Sequence, residues 1–220
     1  MNNMKKIFQI LALLLALCLL AGCGNTTFTT AGTGESTAPV TEPTEGTVSG
    51  ELDESLTYYA DIEIQDYGTI TVKLEPQSAP ITVANFVKLA QSGFYDGLTF
   101  HRIMEGFMMQ GGDPLGNGFG GSEEQIVGEF TANGYDNPLS HTRGAISMAR
   151  SQDPNSASSQ FFIVHEDSTF LDGMYAVFGY VTEGLEVVDG VCQAAQPVDN
   201  NGSILPAQQP VITAITIRTE

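Results

Sequence analysis

Tryptophan is absent from the 220 residues, and cations are scarce: eight lysines and arginines stand against 26 aspartates and glutamates, a formal charge of −18. Two of the eight, Lys5 and Lys6, lie at the very start, which leaves six for the rest of the chain. A body this acidic is repelled by phosphate backbones and anionic headgroups, so nucleic acid is excluded as a partner. Cysteine is also rare, with Cys18, Cys23 and Cys192 forming no Cys-x-x-Cys pair, and His101, His141 and His165 lack ligand spacing. A zinc site and a disulfide framework are therefore not expected. The glycines at 116, 118, 120 and 121 are followed by no Gly-Lys-Ser/Thr, and Glu123, Glu124 and Glu129 would repel an anion, which argues against a phosphate cradle. Serine hydrolysis is disfavoured too, for want of a Gly-x-Ser-x-Gly motif or a placed His–Asp partner. No cofactor or metal is expected.

No apolar run is long enough to span a bilayer. The longest, Ile7–Leu20, is nearly unbroken, with Gln9 inside it, and spans 14 residues against about 20 required. Behind Lys5 and Lys6 it reads as a secretion signal over residues 1–22. Leu20-Ala21-Gly22-Cys23 resembles the lipobox of bacterial lipoproteins, which implies cleavage before Cys23 and lipidation of its sulfur. Several acyl chains on one residue would anchor the protein stably to the cell membrane, facing outside the cytoplasm. Residues 23–56, rich in Thr, Gly, Ser, Glu and Pro, cannot bury enough surface to offset ordering and are expected to be a disordered tether.

Residues 57–220 carry the folded body. Tyr58–Ile64 and Thr69–Leu74 alternate on either side of a turn at Asp66-Tyr67-Gly68, a β-hairpin. Val83, Phe86, Val87 and Ala90 recur at helical steps over about 81–91, with Gly93 as a stop. Leu98–Gly112 reads as two short strands broken at Glu105-Gly106, and residues 113–137 as a long glycine-rich loop. Further strands are expected at 144–150, 160–164, 176–179 and 211–217, with a short helix near 183–191. Within 99–113, strand alternation places Phe100 and Arg102 on one face and His101 and Ile103 on the other. One always-charged guanidinium beside Phe107, Met108, Met109 and Gln110 suggests an apolar pocket with a strong donor at its rim. Phe161 and Phe162 must face opposite ways, so only one can line that pocket. His101 is expected to be a satisfied core residue, and His141 and His165 surface or loop residues. The class is all-β, a closed eight-stranded antiparallel barrel capped by two α-helices.

Four separated stretches then coincide. Phe100-His101-Arg102-Ile103 with Gly106–Asp113, Ser147-Met148-Ala149, Ser159–Ile163, and Leu171-Asp172-Gly173 with Val177-Phe178-Gly179 resemble, in order, the motifs of cyclophilin-type peptidyl-prolyl cis-trans isomerases. The resemblance implies the same barrel and an isomerase acting on proline-containing polypeptides; with the leader, these are expected to be exported proteins, and a monomer is expected. It implies Arg102 as the catalytic arginine and Gln110 as the residue that orients it. Phe107, Met108, Phe162 and Leu171 match the proline-pocket wall, and Ala149 and Arg150 the segment that pairs with the bound peptide. Phe170 stands where many members have tryptophan and Tyr175 where many have histidine. For Phe107 and Met108 to reach one pocket the chain must bend, as Gly106 allows.

The residue types suit that reaction. Resonance gives a prolyl amide a rotation barrier of about 18–20 kcal/mol, and uncatalysed exchange takes about 10–100 s. No covalent bond breaks, so neither nucleophile nor metal is needed. A donor to the pyramidalising prolyl nitrogen helps, and arginine supplies one without changing protonation. A binding module using the same groove is the competing class, and the presence of Arg102 argues for catalysis. Replacing Cys23 by serine is expected to release the protein from the membrane fraction on cell fractionation; continued sedimentation with membranes would contradict lipidation.

Overall fold

Along Phe161–Val164 all four side chains are buried, although neighbours in a strand point to opposite faces. Phe161 and Ile163 enter the main core, while Phe162 and Val164 enter a second, smaller cluster with Met108, Ala145 and Val177. Such an unbroken apolar run is what a strand covered on both faces requires. The computed structural model describes Leu52, Asp53 and residues 55–220. The leader, Cys23 and the tether up to residue 51 lie outside the described residues.

Eight strands form one antiparallel sheet: β1 (Tyr58–Ile64), β2 (Gly68–Leu74), β3 (Thr99–Met104), β4 (Met108–Asp113), β5 (Ala145–Met148), β6 (Phe161–Val164), β7 (Val177–Glu183) and β8 (Ile212–Thr219). Their order is β3-β4-β6-β5-β7-β2-β1-β8. Two helices, α1 (Pro80–Gln91) and α2 (Leu185–Ala194), pack against β8 and β2 respectively. The second helix starts later than the sequence pattern suggests, because β7 runs on to Glu183 and Gly184 makes the turn. On α1, Val83, Phe86, Val87 and Ala90 are buried, and the Phe86 ring lies 5.2–5.5 Å from those of Tyr95, Phe161 and Phe178. Truncating such an aromatic typically costs about 3–5 kcal/mol.

The expected closed barrel is not formed: the sheet stays open between β3 and β8, its edges joined by an isolated bridge at Thr99 and Val211. Phe100 N–H donates to Pro210 O (3.0 Å) and Ile212 N–H donates to Leu98 O (2.8 Å), but Pro210 has no N–H with which to carry the ladder further. Further along β3 the free edge is occupied by a loop instead. Ile103 N–H donates to Gly202 O (2.8 Å), and Ile204 N–H donates to His101 O (3.0 Å).

The start of α1 is capped from a distance. Pro80 has no N–H, and no neighbouring side chain caps the turn. The buried Glu129 carboxylate accepts from Ile81 N–H (3.0 Å), Thr82 N–H (2.7 Å) and the Thr82 hydroxyl (2.7 Å). Glu129→Ala is expected to destabilise the fold by about 2 kcal/mol, lowering the denaturation midpoint at unchanged slope; an unchanged midpoint would contradict this capping.

Candidate active site

The β3–β4 pair is out of step twice. Thr99 pairs with Asp113, Phe100 with Gly111 and Arg102 with Gln110, so Gly112 is an extra residue on β4 and His101 an extra residue on β3. Each bulge re-aims the side chains beyond it. The regular alternation expected from sequence, with Phe100 and Arg102 on one face, therefore does not hold. Phe100 and Ile103 both enter the main core, and Arg102 emerges half-buried on the outer face. The glycines at the bulge are sterically required. At Gly112 (φ +80°) a Cβ would lie 2.5 Å from Ser159 O, and at Gly111 it would lie 2.9 Å from the Phe100 ring.

Arg102 is held from several sides. Its Nε–H donates to Asn201 O (2.7 Å) and its Nη1–H to Gln110 Oε1 (3.1 Å). Nη2 and Nη1 also touch the sulfurs of Met104 (3.4 Å) and Met108 (4.0 Å), weak acceptors. Burial pulls the guanidinium's pKa below its ordinary value, opposed by Tyr175 and Asp199, and the group stays cationic. Gln110 in turn donates to Gln160 Oε1 (2.9 Å), and Gln160 donates to the carbonyls of Gly118 (3.2 Å) and Gly120 (2.7 Å).

A cavity of about 220 Å3 opens beside this network, lined by Arg102, Gln110, Phe107, Met108, Ala149, Arg150, Phe162, Leu171 and Tyr175. The residues expected at the pocket line it except Met109, which enters the main core, and Phe170, which is 69% exposed at the rim with its ring 5.7 Å from that of Phe107. The bend needed for Phe107 and Met108 is present: Phe107 closes the turn through Gly106, and Met108 begins β4. Phe162 faces this cavity while Phe161 faces the core, as alternation requires. Arg150 forms a wall, its Nη2–H donating to Met174 O (2.7 Å) and its guanidinium 4.6 Å from the Tyr175 ring centre. Ala149 N–H is already committed to Gln160 O (2.9 Å), so this segment can offer a peptide the Ala149 carbonyl.

Arg102 thus sets a half-buried cation at the edge of a largely apolar cavity. The profile of the family described as "Cyclophilin type peptidyl-prolyl cis-trans isomerase/CLD" matches residues 59–217. This chain belongs to that family. It is 50% identical over 123 residues to peptidyl-prolyl cis-trans isomerase B of Bacillus subtilis, covering 56% of this chain and 82% of that protein. With a peptidyl-prolyl cis-trans isomerase of Helicobacter pylori it shares 45% identity over 139 residues, 62% of this chain and 82% of the relative. A cyclophilin-type isomerase of Cryptosporidium parvum, solved in the presence of the dipeptide Ala-Pro, matches with a TM-score of 0.64 at 30% identity, over 74% of this chain and 99% of that one.

Four residues around this cavity were not singled out in the sequence, although Gln160 and Asp172 lie inside the family motifs. Asn201 reaches Arg102 across 99 positions. Gln160 lies inside a family motif but beside two phenylalanines that dominate its reading. His141 and Asp172 are 31 positions apart. His141 is fully buried rather than a surface residue, with Nδ1 2.8 Å from Asp172 Oδ1 and Nε2 3.0 Å from Ser147 Oγ. Its ring stacks on Phe162 at 5.9 Å and 12°, backing the cavity wall. An Asp–His–Ser series thus exists despite the sequence expectation, but Ser147 is wholly buried and no substrate can reach it. His165 is also buried, accepting from Gly106 N–H at Nδ1 (2.8 Å), because Asp189 of α2 meets its Nε2 (3.2 Å). His101 is buried as expected but unsatisfied, with neither ring nitrogen bonded.

Burial lowers the His141 pKa below the ordinary 6.5, more than Asp172 raises it, and burial likewise lowers that of His101. The folded state then binds fewer protons than the unfolded state, so these groups' contribution is present above about pH 6.5 and declines as pH falls below it. The denaturation midpoint should accordingly drop on acidification through this window, and His141→Asn should flatten the dependence, leaving the share of His101. An equally steep profile in the variant would contradict a neutral buried His141.

Proposed function

We propose that this isomerase accelerates the folding of proline-containing segments of exported proteins, working from a lipid anchor on Cys23 outside the cytoplasm. The observation that carries the catalytic part is the single cavity shared by Arg102, Gln110 and the apolar walls Phe107, Met108, Phe162 and Leu171. The proline ring would sit among those walls while the acyl side of the peptide rotates. As the amide twists, nitrogen regains its lone pair, and an Arg102 N–H donates to it.

The support is geometric and electrostatic. Of the five guanidinium N–H groups, one is taken by Asn201 O and one by Gln110 Oε1, and the sulfurs of Met104 and Met108 compete weakly for the others. Strong donors therefore remain for substrate. The donor is fixed before substrate arrives, so little reorganisation is needed as the transition state forms. Its interaction with a pyramidal nitrogen exceeds that with a planar amide, whose lone pair is delocalised. Gln110, braced by Gln160, keeps the guanidinium plane in place.

The test is isomerisation of a short Xaa-Pro peptide by the full chain. Wild type should exceed the uncatalysed rate, and Arg102→Ala should lower kcat/KM by about 10²–10³-fold. Arg102→Lys should recover little, because a lysine cannot serve Asn201, Gln110 and substrate in one plane. Equal rates for wild type and Arg102→Ala would overturn the arginine mechanism.

A further inference from the structure

On the far side of Arg102 from the proline cavity lies a second recess of about 560 Å3. Arg102 and Gln110 line both spaces, so the two meet at one guanidinium. His101 lies in its floor, 6% exposed, with both ring nitrogens buried and unbonded. Gly118 stands over one edge of the ring: a Cβ there would lie 3.7 Å from His101 Nε2. Buried polar atoms in folded proteins almost always find partners, and among the described residues nothing answers this imidazole. Burial and the adjacent Arg102 keep the ring neutral against the opposing charge of Asp113, so it presents one N–H and one lone pair.

The rim is apolar. Phe119, Val198 and Leu205 are 91%, 57% and 49% exposed and all line this recess. Isolated exposed apolar side chains are ordinary, but a group of them around one cavity marks a binding surface.

We propose that this recess receives a second side chain of the polypeptide whose proline fills the neighbouring cavity, and that it selects tyrosine. The inference rests on the isomerase reading above. An aromatic body is covered by Phe119, Val198 and Leu205. A phenol hydroxyl both donates and accepts, so it can pair with His101 Nε2 in either tautomer once the Gly116–Gly118 backbone shifts slightly. Phenylalanine would fill the same space and leave the imidazole unanswered. Lysine and arginine are disfavoured by Arg102. A carboxylate would be drawn to Arg102, but it can only accept, so it answers His101 in one tautomer alone, and the acidic body opposes its approach.

The experiment uses the full chain and labelled peptides in which each of the two residues before and after proline is in turn Tyr, Phe, Lys, Glu or Ala. Isomerisation gives kcat/KM and fluorescence anisotropy gives Kd. At one position Tyr should exceed Ala by about tenfold and Phe by a smaller factor, with Lys and Glu below both. In His101→Leu the Tyr-to-Phe ratio should fall to one while the Phe-to-Ala ratio persists. His101→Gln, which keeps a donor and an acceptor, should retain part of the Tyr preference. Leu205→Asp should lower both ratios. Ratios within one variant are independent of how much protein folds. No Tyr preference at any position, or an unchanged Tyr-to-Phe ratio in His101→Leu, would overturn the proposal. Turnover without selectivity would sink this inference alone, whereas Tyr-selective binding without turnover would sink the isomerase reading alone.

Discussion

The paired bulges at Gly112 and His101 set the geometry on which the site depends. Without them, period-two alternation would carry Arg102 to the same face as Phe100, into a core packed with Phe86, Phe161 and Ile163. A guanidinium there would be unpaired in a low-dielectric interior, at a cost no apolar contact could offset. One extra residue on each strand leaves the register beyond the bulges unchanged, with Arg102 still level with Gln110 but turned to the other face. The close approaches at Gly111 and Gly112 make this possible, since side chains there would collide with Phe100 and with Ser159 O.

The open edge of the sheet is used rather than left bare. An unpaired strand exposes a row of N–H and C=O groups, and the 202–204 segment covers that row on β3. The same docking delivers Asn201 O to Arg102 Nε and places Val198 and Leu205 around the second recess. Asp113, at the end of β4, organises the opposite bank. Burial would raise its pKa, but N–H groups of Leu115, Asn117, Gly118 and Gly120 hold the carboxylate ionised, and they gather the glycine-rich loop over His101. A gap in the barrel and a single carboxylate thus shape two adjoining cavities around one cation.

Legibility in the sequence followed the range of the interaction. The β1–β2 hairpin, α1 and the strand at β6, with Phe161 and Phe162 on opposite faces, arise from neighbours in the chain, and their patterns were readable. So was the cavity wall, because motif resemblance identified Phe107, Met108, Phe162 and Leu171. The open barrel was not readable, since it turns on Pro210 meeting Phe100 and on a loop competing for the β3 edge. Nor was His141, a polar residue in a polar stretch that becomes buried only when Asp172 and Ser147 converge on it.

By itself the sequence determined the family, the strands and helices, the chemical identity of the donor and the apolar character of its surroundings. Those follow from residue type and short-range periodicity, which need no knowledge of what lies across the fold. Tertiary structure alone decided which face Arg102 occupies, which carbonyl holds it, that the sheet stays open, and that His101 is buried without a partner. Each of these depends on groups tens of residues apart competing for the same hydrogen bonds and the same space, and only the folded chain resolves that competition.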